Sequence, residues 1–174
     1  FQQRGAARRY RLDFPNLEVE NSFLRQVVPA YTGQEENRAN DIQADAVEAL
    51  YGGEPEKFVA ALKRLFANIP YDLTDRQNEQ MWQAIVYVIL KMVGVAVLAE
   101  VKTNEGRIDM TAETPEHCYV IEFKLDKSAA EAIRQIKANR YADKFAGNGK
   151  TLTLVGLAFS KAKRTIVDAA IEEA

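Results

Sequence analysis

Two residue types that build many compact sites are nearly missing from this chain, which has one cysteine, Cys118, and one histidine, His117. A single thiol excludes a disulfide within the chain and fits a reducing compartment. A single imidazole excludes a multi-histidine zinc centre. Neither residue has a partner that would make it a nucleophile or a metal centre, and both read as structural residues beginning a strand. Long hydrophobic runs are absent too. The longest apolar stretch, 85–98, is interrupted by Lys91 and Gly94 and falls short of the roughly 20 residues that span a bilayer as a helix. The N-terminus carries no secretory pattern. No membrane partner is therefore expected, and the location expected is cytoplasmic. The chain begins at Phe1 rather than Met, as a piece of a longer protein would.

What is present is ordinary in amount and uneven in placement. The chain has 174 residues, 47% of them hydrophobic and 28% charged, which suits one globular domain or one domain with a helical extension. Its formal net charge is −2, which argues against a protein that is basic all over. Yet from Lys124 to Arg164 ten Lys or Arg stand against only three acids, Asp126, Glu131 and Asp143. Such a segment attracts phosphates or forms a solvated helix face, and composition alone leaves both open.

In chain order, Pro15-Asn16 marks a turn, and apolar residues from Leu17 to Tyr31 recur at helical spacing. A second helix is expected over 42–51, stopped by Gly52-Gly53, and a third from Pro55 that ends before Pro70. Thr74 to Val93 opens with the capping-box spacing Thr74-x-x-Gln77 and is apolar around much of its circumference. Glu79 shares the face of Trp82 and Val86. On its own it reads as a first-turn carboxylate favoured by the helix dipole, and Trp82 reads as core. Strands follow over 95–101, 107–112 and 117–125, joined by turns at Asn104-Glu105-Gly106 and Thr114-Pro115-Glu116. Ser128-x-x-Glu131 caps a helix expected to reach about Phe145, and Thr151 to Phe159 reads as a strand buried on both faces. Arg164 to Ile171 is either an edge strand or a short helix. The crossover from the third strand to the fourth should be parallel and right-handed.

The chemistry concentrates in two of these strands. Alternation puts Val120, Glu122 and Lys124 on one face and Ile121, Phe123 and Leu125 on the other, with Glu122 and Lys124 about 7 Å apart along the strand. In the preceding strand Asp109 should share a face with Arg107 and Thr111, opposite Ile108 and Met110. Antiparallel pairing then brings two carboxylates and one ammonium together in otherwise apolar strands, a costly arrangement unless something pairs them. Magnesium suits such a pocket, because it takes oxygen ligands and often only one or two carboxylates besides water and phosphate. The other reading is an ion pair, Glu122–Lys124, on a sheet face. Glu100 and Arg107 form a hairpin pair or a substrate contact.

The ordered set Glu79, Asp109, Glu122-Phe123-Lys124 and Gln135-x5-Tyr141 resembles the PD-(D/E)XK nuclease superfamily. The stretches GRIDM, YVIEFKL, EAIRQIKANRYADKF and LVGLAFS carry the likeness. It is nearest to the nuclease-like domain found C-terminal to bacterial AAA-ATPase-like domains, and Phe14 to Val19 resembles the segment that follows the ATPase there. The resemblance implies an α/β, restriction-endonuclease-like core (helix, three-strand meander, helix, strand) after a helical N-terminal region. Residues 1–72 would be the linker or lid after an upstream ATPase domain, and 73–174 the nuclease-like domain. It assigns Asp109, Glu122 and Glu79 as ligands of Mg2+, which Mn2+ replaces, and Lys124 as the catalytic lysine, with Glu79 completing the acidic pocket. Gln135, Tyr141 and Arg107 would contact substrate, although Gln135 and Tyr141 lie about 120° apart on an ideal helix and meet only if it bends or ends near Asn139-Arg140. Ile108 stands where the superfamily often has Pro, and the last residues, DAAIEEA, match poorly. The implied function is metal-dependent hydrolysis of DNA or RNA phosphodiesters. The alternative is a catalytically inert nuclease-fold module that binds nucleic acid or regulates an attached AAA-type ATPase.

Overall fold

A computed structural model describes residues 36–67, 79–92, 95–103 and 106–174. The helix expected over 17–31, the Thr74–Gln77 capping box, the Asn104-Glu105 turn residues and the Glu79 side chain lie outside the described residues.

Helix α1 (Glu36–Tyr51) buries Ile42, Ala46, Ala49 and Leu50 at helical spacing. Helix α2 (Pro55–Phe66) begins with proline in its first turn, where no backbone donor is lost, and buries Phe58, Val59, Leu62, Leu65 and Phe66. Between them Gly53 takes φ +68°, and a Cβ there would lie 2.5 Å from Cε1 of His117. Glycine takes that φ without strain and leaves the imidazole in place. Helix α3 (Glu79–Met92) buries Trp82, Val86, Ile89 and Leu90.

Among the described residues five strands form one sheet in sequence order: β1 (Ala96–Lys102), β2 (Arg107–Glu113), β3 (His117–Leu125), β4 (Thr151–Ser160) and β5 (Thr165–Glu173). The first three run as an antiparallel meander. Helix α4 (Ala129–Ala138) carries the chain to β4, which pairs parallel with β3. The segment that allowed two readings is an edge strand, β5, antiparallel to β4. The Ser128–Glu131 capping box forms at the start of α4. The helix does not run on to Phe145. It stops at Ala138, because Arg140 adopts a left-handed conformation (φ +50°) and the chain re-coils as a 3-10 turn over Tyr141–Phe145.

The sheet has a covered face on each side. Tyr119, Ile121 and Phe123 of β3, with Val155, Leu157 and Phe159 of β4, pack against α1, α2 and α3. Phe159 is the hub, with Trp82 stacked on it at 5.0 Å, Phe66 edge-on at 5.2 Å and Phe123 stacked at 5.9 Å. The Tyr119 hydroxyl donates to the Leu50 carbonyl at 2.7 Å, tying the sheet to α1 within the same core. The other face carries Ile108, Val120 and Leu154 under Ile133 and Ile136 of α4. Helix α4 comes so close that a Cβ on Gly156 would lie 2.5 Å from the Ala129 carbonyl oxygen.

That contact is against backbone, so it cannot relax by a rotamer change. Gly156→Ala should lower stability by about 1–3 kcal/mol, read as a shifted urea midpoint at unchanged slope. A neutral substitution would show that α4 is free to move off the sheet.

Candidate active site

Phe123 sets the geometry. Its ring is committed to the aromatic stack on the helix side, so strand alternation sends Glu122 and Lys124 to the α4 side. Both of its backbone polar groups are held by the charged residues around it. The Phe123 amide donates to Asp109 Oδ2 at 2.9 Å, and its carbonyl accepts from Lys124 Nζ at 3.0 Å. The β2–β3 pairing runs from Glu113–Cys118 to Met110–Ile121, and the Asp109 side chain takes the next donor along. Asp109 is thereby placed level with Glu122.

Glu122 is 1% exposed, while the Lys124 side chain is 12% exposed. Lys124 Nζ donates to Glu122 Oε1 at 2.9 Å. Glu122 Oε2 is buried with no hydrogen-bond partner among the described residues. Burial pushes the Glu122 carboxyl up from 4.5 to about 7, and the Asp109 charge adds to the effect, against the opposing hydrogen bond and charge of Lys124. The source of the burial is visible in the register. Glu122 pairs with Gly156, the residue on which the first turn of α4 rests.

The alternation expected around Asp109 is not kept. Met110 and Ala112 join the core under α1–α3, whereas Ile108 joins the cluster under α4. Val97 and Val101 of β1 divide in the same way. Between them Glu100, at φ +58°, breaks the regular strand, so Ile108 and Met110 do not share a face. Arg107 is exposed and ion-paired with Glu100, forming the hairpin pair.

Tyr141 is 2% exposed and packs in the α4-side cluster. Its hydroxyl accepts from the Arg107 amide at 3.2 Å and from Asn139 Nδ2 at 2.8 Å, so it pins the β1–β2 hairpin to the end of α4. Gln135 is half-buried on α4, and its carbonyl accepts from the Asn139 amide. Glu79 opens α3. His117 packs against Gly53, Cys118 is buried, and Trp82 is core.

Two residues of the site were not singled out from the sequence. Thr111 is buried on the Val120 side with its hydroxyl unpartnered among the described residues. Gly156 was legible as a glycine inside a buried strand, which often marks a close backbone approach.

The donor set fits a hard divalent cation. Asp109 and Glu122 offer carboxylate oxygens, and one of these is buried with its hydrogen-bonding capacity unused. Among the described residues no three or more His, Cys, Asp or Glu group so as to hold a metal ion; Asp109 and Glu122 are the two carboxylates brought together here, and magnesium commonly takes one or two.

A family model described as the PD-(D/E)XK nuclease superfamily matches residues 77–169, more than half of the chain. A curated relative from Azotobacter chroococcum mcd 1, described as an uncharacterized protein in the vnfD 5' region, is 31% identical over 178 residues, covering 98% of this chain and 34% of the relative. The chain thus spans about a third of that relative's length.

Because the Glu122 carboxyl in the folded protein lies near 7, above its ordinary 4.5, the folded state holds this proton more tightly than the unfolded chain. Its contribution is complete below about pH 4.5 and is lost as pH rises through about 7. Without metal, wild type should therefore lose stability over that window relative to Glu122→Gln, by an amount on the order of 3 kcal/mol. Chemical denaturation across pH measures it, and parallel profiles for the two proteins would refute the assignment.

Tyr141→Phe removes the acceptor for two hydrogen bonds. It should destabilise the chain by about 1–3 kcal/mol, with earlier amide exchange in the β1–β2 hairpin than in β3 or β4.

Proposed function

This chain belongs to the PD-(D/E)XK nuclease superfamily, and from that premise we propose that it is a metal-dependent nuclease domain that hydrolyses phosphodiester bonds of DNA or RNA. The observation that carries the reading is Glu122, a buried carboxylate with one oxygen on Lys124 and the other unpartnered among the described residues, level with a second carboxylate. Burying the Glu122 carboxylate beside the half-buried Asp109 carboxylate is expensive. A divalent cation removes that expense, which a lone Lys124–Glu122 pair does only in part.

Asp109 and Glu122 would hold Mg2+ or Mn2+, with Glu79 as the third carboxylate. The bound ion supplies a water of lowered pKa and neutralises charge at the phosphorus. The remaining work falls to the chain. Lys124 keeps Glu122 oriented through a 2.9 Å bond and, being partly exposed, offers its ammonium to a non-bridging phosphate oxygen or to the attacking water. Glu122 Oε2, buried and without a hydrogen-bond partner among the described residues, would give its lone pairs to the ion. Helix α4, resting on Gly156, keeps bulk water away from Glu122. Gln135 borders the site from α4. Tyr141 and Arg107 act by holding the hairpin beside it.

An upstream AAA-type ATPase domain completes the proposal, in a bacterial cytoplasmic protein. The length of the curated relative, of which the chain spans about a third, accommodates one. Among the described residues no helix is long and apolar enough to cross a membrane.

Purified protein should cut DNA or RNA with Mg2+ or Mn2+ and not with EDTA. Asp109→Ala and Lys124→Ala should each lower the rate at least a hundredfold, the scale of losing a charge-stabilising group. Metal-dependent cleavage that survives both substitutions sinks the proposal. Mn2+ binding by calorimetry with no cleavage of any nucleic acid would leave the inert module instead.

A further inference from the structure

The basic segment after β3 does not act as one surface. Several of its cations are neutralised: Lys137 pairs with Glu172, Arg140 with Asp143, and Lys150 with Glu113. Lys127, Lys161 and Lys163 are exposed and make no ion pair among the described residues. They are also neighbours. The Asp126 amide donates to the Phe159 carbonyl at 2.8 Å, and the Lys161 amide donates to Asp126 Oδ1 at 3.0 Å. The loop after β3 and the turn after β4 are thus stitched side by side, immediately beyond Lys124.

The acids nearby offset this charge only in part. Asp126 serves the Lys161 amide, and Glu131 serves the Ser128 amide and hydroxyl. The turn is rigid as well. The Arg164 amide donates to the Ser160 carbonyl at 2.7 Å, the Lys163 amide to Ser160 Oγ at 3.3 Å, and Asp126 and Arg164 both take φ +54°. Asp126 and the Glu131 charge that acts on Lys127 offset part of this charge, and three exposed ammonium groups on two stitched loops still form a cationic edge that suits an anionic partner. Their place at the carboxyl ends of two parallel strands is where open α/β sheets take their ligands.

We infer that Lys127, Lys161 and Lys163 form a phosphate track that grips the backbone of a nucleic-acid strand next to Lys124. The inference rests on the nuclease reading for the identity of the polyanion, but its test does not depend on cleavage. Binding of a fluorescent oligonucleotide is followed by anisotropy in EDTA, as a function of salt. Replacing the three lysines together by Gln should weaken binding and flatten the plot of log affinity against log salt, by about three for duplex and about two for single strands. Replacing them by Arg should keep the wild-type slope, which separates charge from fold. Equal slopes for wild type and the Gln variant overturn the track, as does wild type that binds no nucleic acid. Wild type that binds with the expected slope yet never cuts in Mg2+ removes the nuclease reading and leaves the track standing. Wild type that cuts while the Gln variant keeps its slope does the reverse.

Discussion

Everything in the site follows from where the Phe123 ring is held. The ring is stacked on Phe159, which carries Trp82 from α3 and Phe66 from α2. Turning Glu122 and Lys124 to the helix side would pull Phe123 out of that stack. Burial of a phenylalanine contributes about 1.5–3 kcal/mol, and each aromatic pair adds about 0.5–1.5 kcal/mol, so the alternative register is closed. The same residue organises the charges through its backbone, with its amide on Asp109 and its carbonyl on Lys124. One apolar side chain thus positions three charged ones, and substitution at Phe123 would disturb the site without touching a charge.

The second constraint is the approach of α4 over Gly156. It excludes water from Glu122 and raises its carboxyl toward neutrality. A larger residue at 156 would move the helix away, rehydrate Glu122 and lower the tension between it and Asp109. The protein instead keeps the dry face and the cost that goes with it. The large core under α1–α3 supplies the stability that this face gives up.

How much of this was legible in the sequence depends on the length scale of each signal. Period-2 alternation was enough to put Phe123 opposite Glu122 and Lys124, and the capping box and apolar runs were enough to order the meander, α4 and the parallel β4. Alternation failed at Asp109, because the left-handed Glu100 belongs to the partner strand and no local pattern announces it. The end of α4 was misjudged for a similar reason. Ala138 to Tyr141 contains neither glycine nor proline, and the break comes from a left-handed Arg140, helped by Tyr141 reaching across to the Arg107 amide. Gly156 was visible in the sequence, but what it touches was not, since Ala129 lies a whole helix away along the chain.

The break in alternation also decides which side of the site is open. Beyond Glu100 and Asp109 the hairpin turns its apolar residues, Val101 and Ile108, against Tyr141 and the α4 side. Among the described residues that covers the site along β1 and β2. Along β3 exposure rises the other way, from the buried Glu122 through the partly exposed Lys124 to the exposed Asp126 and Lys127. Among the described residues the carboxyl end of β3 is therefore the exposed side of Lys124, and there the stitched loops carry Lys127, Lys161 and Lys163. Among the described residues, a site covered on its hairpin side and edged by lysines on its exposed side suits the long polyanion of the proposed phosphate track.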